Sequence, residues 1–149
     1  MMRFGIPALS LLLSASVSAL AADCFVAKLR LPTGQIVIIA EGDFEARSIG
    51  SFSVRLYQAA APPDETTFFV TGLIRARDGV LEKAILADID GDQQPEIVVI
   101  ARSAGTGGYL SAYAFGFTKN TLAFRTEVEG LAPDKDPLTA LRNCTTKPN

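Results

Sequence analysis

The sequence predicts an all-β fold, an antiparallel β-sandwich or a strongly bent meander of about eight strands. Two observations predict it. Short runs rich in β-branched and aromatic residues alternate apolar with polar positions. Turn-forming residues separate those runs at near-regular spacing, and no internal repeat, low-complexity tract or linker interrupts the series.

The elements follow in order. From Cys24 to Leu31, Phe25, Ala27, Leu29 and Leu31 point one way and Lys28 and Arg30 the other. Pro32-Thr33-Gly34-Gln35 is a turn, and Ile36 to Ala40 is a continuous apolar run that suits a buried strand. Phe52, Val54 and Leu56 alternate with Ser51, Ser53 and Arg55 to give a third strand. Ala61-Pro62-Pro63-Asp64 breaks the chain. Thr67 to Arg75 is the fourth strand, and Arg77-Asp78-Gly79 a turn. Val80 to Ala87 is ambiguous, because Leu81, Ala84 and Ile85 would also make a helical face. Its short length between turn residues favours a strand. Ile97 to Ala101 is strongly β. Tyr109 to Phe117 alternates aromatic residues, and Lys119-Asn120 is a two-residue hairpin turn into Leu122 to Thr126. In the aromatic row, Phe115 and Phe117 are expected in the core and Tyr109 at the surface. The tail from Gly130 reads mostly as loop, with one helical turn near Leu138 to Arg142.

Residues 1–21 read as a signal peptide and residues 22–149 as a single β domain. Arg3 supplies the positive end. Leu9 to Leu20 is apolar and diluted only by serines, too short to span a bilayer. Ala19-Leu20-Ala21 is a small-x-small cleavage signal. Asp23 before Cys24 argues against lipidation. A periplasmic or secreted product with no membrane segment is expected. Without Arg3 it has 13 basic and 16 acidic residues, a net charge of −3, which is not the balance of a nucleic-acid binder. A mildly acidic surface suits a basic partner, although it also simply keeps a protein in solution.

Export places Cys24 and Cys144 in an oxidising compartment, so a disulfide joining the two ends of the mature chain is expected. Closing a loop of about 120 residues would stabilise the fold by roughly 4–5 kcal/mol. Histidine is absent, which removes Ser-His-Asp, Cys-His and most zinc chemistry.

Two motifs could carry function. In Asp88-Ile89-Asp90-Gly91-Asp92-Gln93-Gln94-Pro95-Glu96, the carboxylates of Asp88, Asp90, Asp92 and Glu96 fall at positions 1, 3, 5 and 9, a spacing that aims oxygens at a calcium ion. Gln93 stands where such loops hold glycine, and Val99 where they hold a bidentate Glu. The plainer reading is a turn whose Asp side chains bond backbone N–H groups. The second motif is Ser103-Ala104-Gly105-Thr106-Gly107-Gly108-Tyr109, between two strands. Its three glycines permit unusual backbone shapes and leave the hydroxyls of Ser103, Thr106 and Tyr109 uncovered. No Gly-Lys-Ser/Thr follows, so it is not a phosphate loop. On its own it also reads as a plain hairpin loop.

Together, Ala87 to Asp92, Pro95 to Val99 and Ser103 to Tyr109 resemble the periplasmic inhibitors of invertebrate-type (i-type) lysozyme. In that family an Asp-rich turn ending in Pro-Glu is followed by an apolar strand and a Ser-Ala-Gly-Ser-Gly-x-Tyr loop. Thr106 stands here where the family often has Ser. The resemblance implies a non-enzymatic inhibitor with i-type lysozyme as its partner, no required cofactor, and an exposed strand face that could support a homodimer. It also implies that the loop enters the lysozyme cleft, where Thr106 and Tyr109 would meet the catalytic carboxylates and Ser103 would brace the loop. Arg102 and Arg75 would lie at the rim or be ordinary strand-end charges.

Three other readings compete. A calcium-dependent binding or adhesion module would use the Asp-rich turn. A glycosidase would need carboxylates facing each other across a groove, whereas these four lie within nine residues of one turn. A surface domain without a specific partner would leave the hydroxyl loop unexplained.

Overall fold

Alternation in the first half of the chain builds one sheet, and in the second half another. The computed structural model describes residues 23–145; the expected signal peptide over 1–21 lies outside them. β1 (Val26–Arg30), β2 (Ile36–Glu41), β3 (Ile49–Tyr57) and β4 (Phe69–Asp78) pair antiparallel in chain order. β5 (Val80–Ala87), β6 (Glu96–Arg102), β7 (Leu110–Phe117) and β8 (Leu122–Leu131) do the same in a second sheet. A helix, α1 (Pro137–Thr145), follows. The expected eight-stranded all-β architecture is the one observed, as two packed sheets that are each a meander. The ambiguous segment from Val80 to Ala87 is a strand, with Ala84 opposite Val99.

The period-2 pattern puts Val37, Ile39, Phe52, Val54 and Leu56 of the first sheet against Ile97, Val99, Tyr113 and Phe115 of the second. Burial of each such side chain contributes about 1.5–3 kcal/mol. Phe52 sits at the centre, its ring 5.2 Å from that of Tyr113 and 6.1 Å from that of Phe115 in an edge-on contact. Phe117 packs against this core, and Tyr109 remains half exposed.

The second sheet has a further apolar layer on its other face. Val98, Ile100, Ala112 and Ala114 are buried there beneath Ile89 and Leu141, the latter from α1. This is why Ile97 to Ala101 reads as a continuous apolar run, since that strand is covered on both faces. The tail is therefore more ordered than its prolines suggest. Asp136 caps α1, its carboxylate accepting from the backbone N–H of Leu138 and Thr139 and from the Thr139 hydroxyl. Pro137 occupies the first helical position, where its missing N–H costs nothing. β8 also runs past Thr126 to Leu131, with Gly130 at φ 65° and Leu131 opposite Leu110.

The expected turn at Arg77–Gly79 is a one-residue joint between the sheets. Gly79 lies between β4 and β5 at φ 80°, and its N–H donates to Ser48 O. A Cβ there would collide with Arg102 O and lie 2.6 Å from Ser103 Cα. Beside the joint, Glu41 is almost fully buried and accepts from the N–H groups of Phe25 (3.0 Å) and Leu81 (2.7 Å). Arg77, equally buried, has its Nε 3.9 Å from that carboxylate. It donates to Ser51 O, Arg47 O, Ala46 O and Gly79 O. One carboxylate thus ties the start of the first sheet to the start of the second.

The expected Cys24–Cys144 bridge does not form; both cysteines are exposed and free. Topology explains the correction. Phe25 and Leu81 meet on Glu41, so Cys24 lies at the start of β5. Cys144 lies beside Thr145, whose hydroxyl donates to Ile89 O just past the end of β5. The length of that eight-residue strand, roughly 25 Å at about 3.3 Å per residue, separates them. A disulfide needs Cα atoms within about 7 Å.

Candidate functional site

Glycine-rich sequence between two long strands makes a loop that the strands themselves cannot absorb. Ser103–Tyr109 connects β6 to β7 and is closed at its base by Ser103 N–H donating to Tyr109 O at 2.8 Å. Inside, Gly108 N–H donates to Gly105 O at 3.2 Å, and Gly108 adopts φ 55°. Ala104, Gly105, Thr106 and Gly107 are exposed, while Ser103 and Gly108 are half-buried. The Tyr109 side chain folds across Gly107; a Cβ at Gly107 would lie 2.8 Å from Cδ2 of the ring. Nothing lies within 4 Å of the Cβ position of Gly105, so the tip stands clear.

The loop is braced from the sheet. Arg102 Nη1 donates to Gly108 O at 2.9 Å, and the rest of the guanidinium forks onto Glu82 of β5, with Nη2 3.0 Å from Oε2 and Nε bonded to Oε1. That hydrogen-bonded ion pair raises the Arg102 pKa above its ordinary value. Arg102 therefore braces the loop. Arg75 pairs with Glu127 at 2.7 Å and lies over the Phe124 ring, a strand-to-strand contact rather than part of the loop. Behind the loop is a shallow recess lined by Ser103, Gly105, Tyr109, Ser48, Asp78 and Glu129, among others. The sequence reading did not identify Glu82, or the recess walls that come from the other sheet. No local motif marks them, because they are brought in by strand pairing and by the joint at Gly79.

The Asp-rich turn connects β5 to β6. Asp88 accepts from the N–H groups of Gly91 (2.7 Å) and Gln93 (2.9 Å), Asp90 from Asp92 (3.1 Å) and Asp92 from Gln94 (2.7 Å). These are the local side-chain-to-backbone bonds that Asp uses to build turns. Gln93 takes the left-handed conformation, φ 69°, at the position where calcium loops hold glycine. Glu96 is buried and accepts from Ile89 N–H at 2.9 Å. Burial raises its pKa, and the nearby Asp90, Asp92 and Asp88 add to the effect against the opposing Ile89 hydrogen bond. Asp88, Asp90 and Glu96 offer oxygens within 4.8 Å of one another, and Asp92 stands outside that group. The turn is anchored to α1 through Arg142 Nε, which donates to Asp88 O, and through the Thr145 hydroxyl.

A family model described as periplasmic lysozyme inhibitor of I-type lysozyme (PliI) matches residues 23–145. The crystal structure of PliI-Ah from Aeromonas hydrophila superposes with a TM-score of 0.74 at 44% identity, covering 78% of this chain and 98% of that one. The crystal structure of Aeromonas hydrophila PliI in complex with Meretrix lusoria lysozyme superposes with a TM-score of 0.73 at 44% identity, covering 79% of this chain and 95% of that one. No curated protein matches the chain. The match across both sheets, the Asp-rich turn, the hydroxyl loop and α1 shows that the chain belongs to the family of periplasmic inhibitors of I-type lysozyme.

Proposed function

We propose that this protein is a non-enzymatic, exported inhibitor that acts in the periplasm or outside the cell and blocks an i-type lysozyme by inserting Ser103–Tyr109 into its active-site cleft. The observation that carries the reading is the braced loop, which is narrow at its glycines, clear of the body at Gly105 and tied down at Arg102. Lysozymes cleave glycosidic bonds with a pair of carboxyl groups in a groove. The hydroxyls of Thr106 and Tyr109 are donors suited to those carboxylates, and a hydrogen bond to an ionised acceptor is about twice as strong as a neutral one. Tyr109, 51% exposed, adds a rigid aromatic anchor. A pre-braced loop loses little conformational entropy on binding.

The test is inhibition of cell-wall lysis by purified mature protein against i-type, chicken-type and goose-type lysozymes. Wild type is expected to inhibit the i-type enzyme selectively. Thr106→Ala and Tyr109→Ala are each expected to weaken inhibition at least tenfold, about 1.4 kcal/mol. Failure of the folded wild type against all three refutes the proposal.

A further inference from the structure

The loop Gly42–Ser48, between β2 and β3, presents the most exposed large hydrophobic side chain among the described residues. Phe44 is 108% exposed, as open as in an extended chain. Its backbone is left-handed, φ 61°, a conformation unfavourable for a bulky residue. Yet the loop is held rigidly. Glu45 accepts from the backbone N–H and hydroxyl of Ser51. Arg77 donates to the carbonyls of Ala46 and Arg47. A strained, exposed aromatic residue on a pinned loop points to a binding role.

Its position names the partner. Ser48 lines the same recess as Ser103, Gly105 and Tyr109, and its carbonyl is bonded to Gly79, which packs against the base of the hydroxyl loop. Phe44 is four residues from Ser48, at most about 14 Å along the chain. A standard protein interface buries about 800 Å² on each side, a disc about 16 Å in radius. The seven residues Ser103–Tyr109 cannot fill that area by themselves, and Phe44, at most about 14 Å from the recess wall at Ser48, is within reach of a patch of that radius that includes Ser48. Ile49, next to Ser48 and paired with Asp78 of the recess, is also 68% exposed.

We infer that Phe44 is a second anchor on the same lysozyme, packing on an apolar surface at the rim of the groove whose interior receives Ser103–Tyr109. The inference rests on the proposed inhibitory function, and it assigns the loop Gly42–Ser48 to the interface.

Inhibition constants against an i-type lysozyme would be measured for wild type, Tyr109→Ala, Phe44→Ala and Phe44→Gly, alongside melting temperatures. Phe44→Ala is expected to weaken inhibition about tenfold and to leave the melting temperature unchanged. Phe44→Gly is expected to melt higher, because glycine accepts the left-handed backbone, and still to inhibit worse; a merely structural Phe44 would not separate the two readouts. Wild-type inhibition by both Phe44 variants, with Tyr109→Ala impaired, overturns the inference alone. A wild type that inhibits no i-type lysozyme overturns the proposed function and this inference with it.

Discussion

Replacing Glu41 by Ala removes the acceptor for two backbone N–H groups that sit on different sheets, Phe25 and Leu81. The site is buried, so water does not take the place of the carboxylate without opening the joint. A hydrogen bond to a charged group contributes about 1.5–3 kcal/mol, and two of them give about 3–6. The neighbouring Arg77 keeps its four carbonyl acceptors, so its charge is not left bare, which argues for the lower half of that range. We expect a loss of about 4 kcal/mol. Unfolding entropy near the melting point is about 2.1 cal/mol/K per residue. Over roughly 120 residues that converts to a fall in melting temperature of about 15 °C. Urea denaturation followed by intrinsic tyrosine fluorescence gives the free energy, and calorimetry gives the temperature. Glu41→Gln retains one good acceptor and should fall between wild type and Glu41→Ala. A loss below about 1 kcal/mol for Glu41→Ala would refute the claim that this carboxylate holds the sheets together.

Other outcomes test the remaining assignments. Reductant should leave the melting temperature of the mature protein unchanged, and a thiol assay should count two free cysteines; a fall of many degrees on reduction would restore the end-to-end bridge. Glu96→Gln keeps an acceptor for Ile89 N–H while removing a buried charge. The folded pKa of Glu96 is raised, so the folded state binds the proton more tightly than the unfolded state does. Wild-type stability from this group is therefore lowest above the folded pKa and recovers as pH falls towards the unfolded value near 4.5. Glu96→Gln should accordingly be at least as stable as wild type at pH 7, with the gap closing near pH 4.5. Below that pH the depressed carboxyls of Glu45, Glu65 and Asp136 reverse the trend in both proteins. A melting temperature of the wild type that rises with added calcium would instead make the turn a metal site.

The strands were legible because a half-buried strand writes its burial into every second residue. Phe52, Val54 and Leu56 announce the core face without any knowledge of what they meet. Val80 to Ala87 was harder, since its bulge between Leu81 and Lys83 breaks the alternation. The helix was placed correctly at Leu138 to Arg142 but read one turn short, for a local reason. Asp136-Pro137 is a cap followed by a first-turn proline, but prolines at 133 and 137 look like breakers, and α1 buries only Leu141 fully. The bridge was misread for a global one. Compartment and cysteine count are silent about the length of β5. Glu41, which does part of the work expected of the bridge, is a lone carboxylate at the end of an apolar run, and its partners lie 16 and 40 residues away. The hydroxyl loop was legible by composition and by resemblance, whereas its brace on Glu82, 20 residues from Arg102, depends on strand pairing.

The single-residue joint at Gly79 has a consequence for how the chain reaches this structure. Every ladder in both sheets pairs strands that are neighbours in sequence. Each sheet can therefore zip from hairpins with short loop closures, at small entropic cost. Only the meeting of the two sheets is distant in sequence, and it brings Glu41 to Leu81 and Ser48 and Asp78 to the loop beyond Arg102. The recess behind that loop is thus built from contacts that are distant in sequence, and it is complete only when the two sheets have docked. A chain with both sheets formed but not yet docked would carry Ser103–Tyr109 and its Arg102–Glu82 brace, yet lack the wall that Ser48 and Asp78 supply.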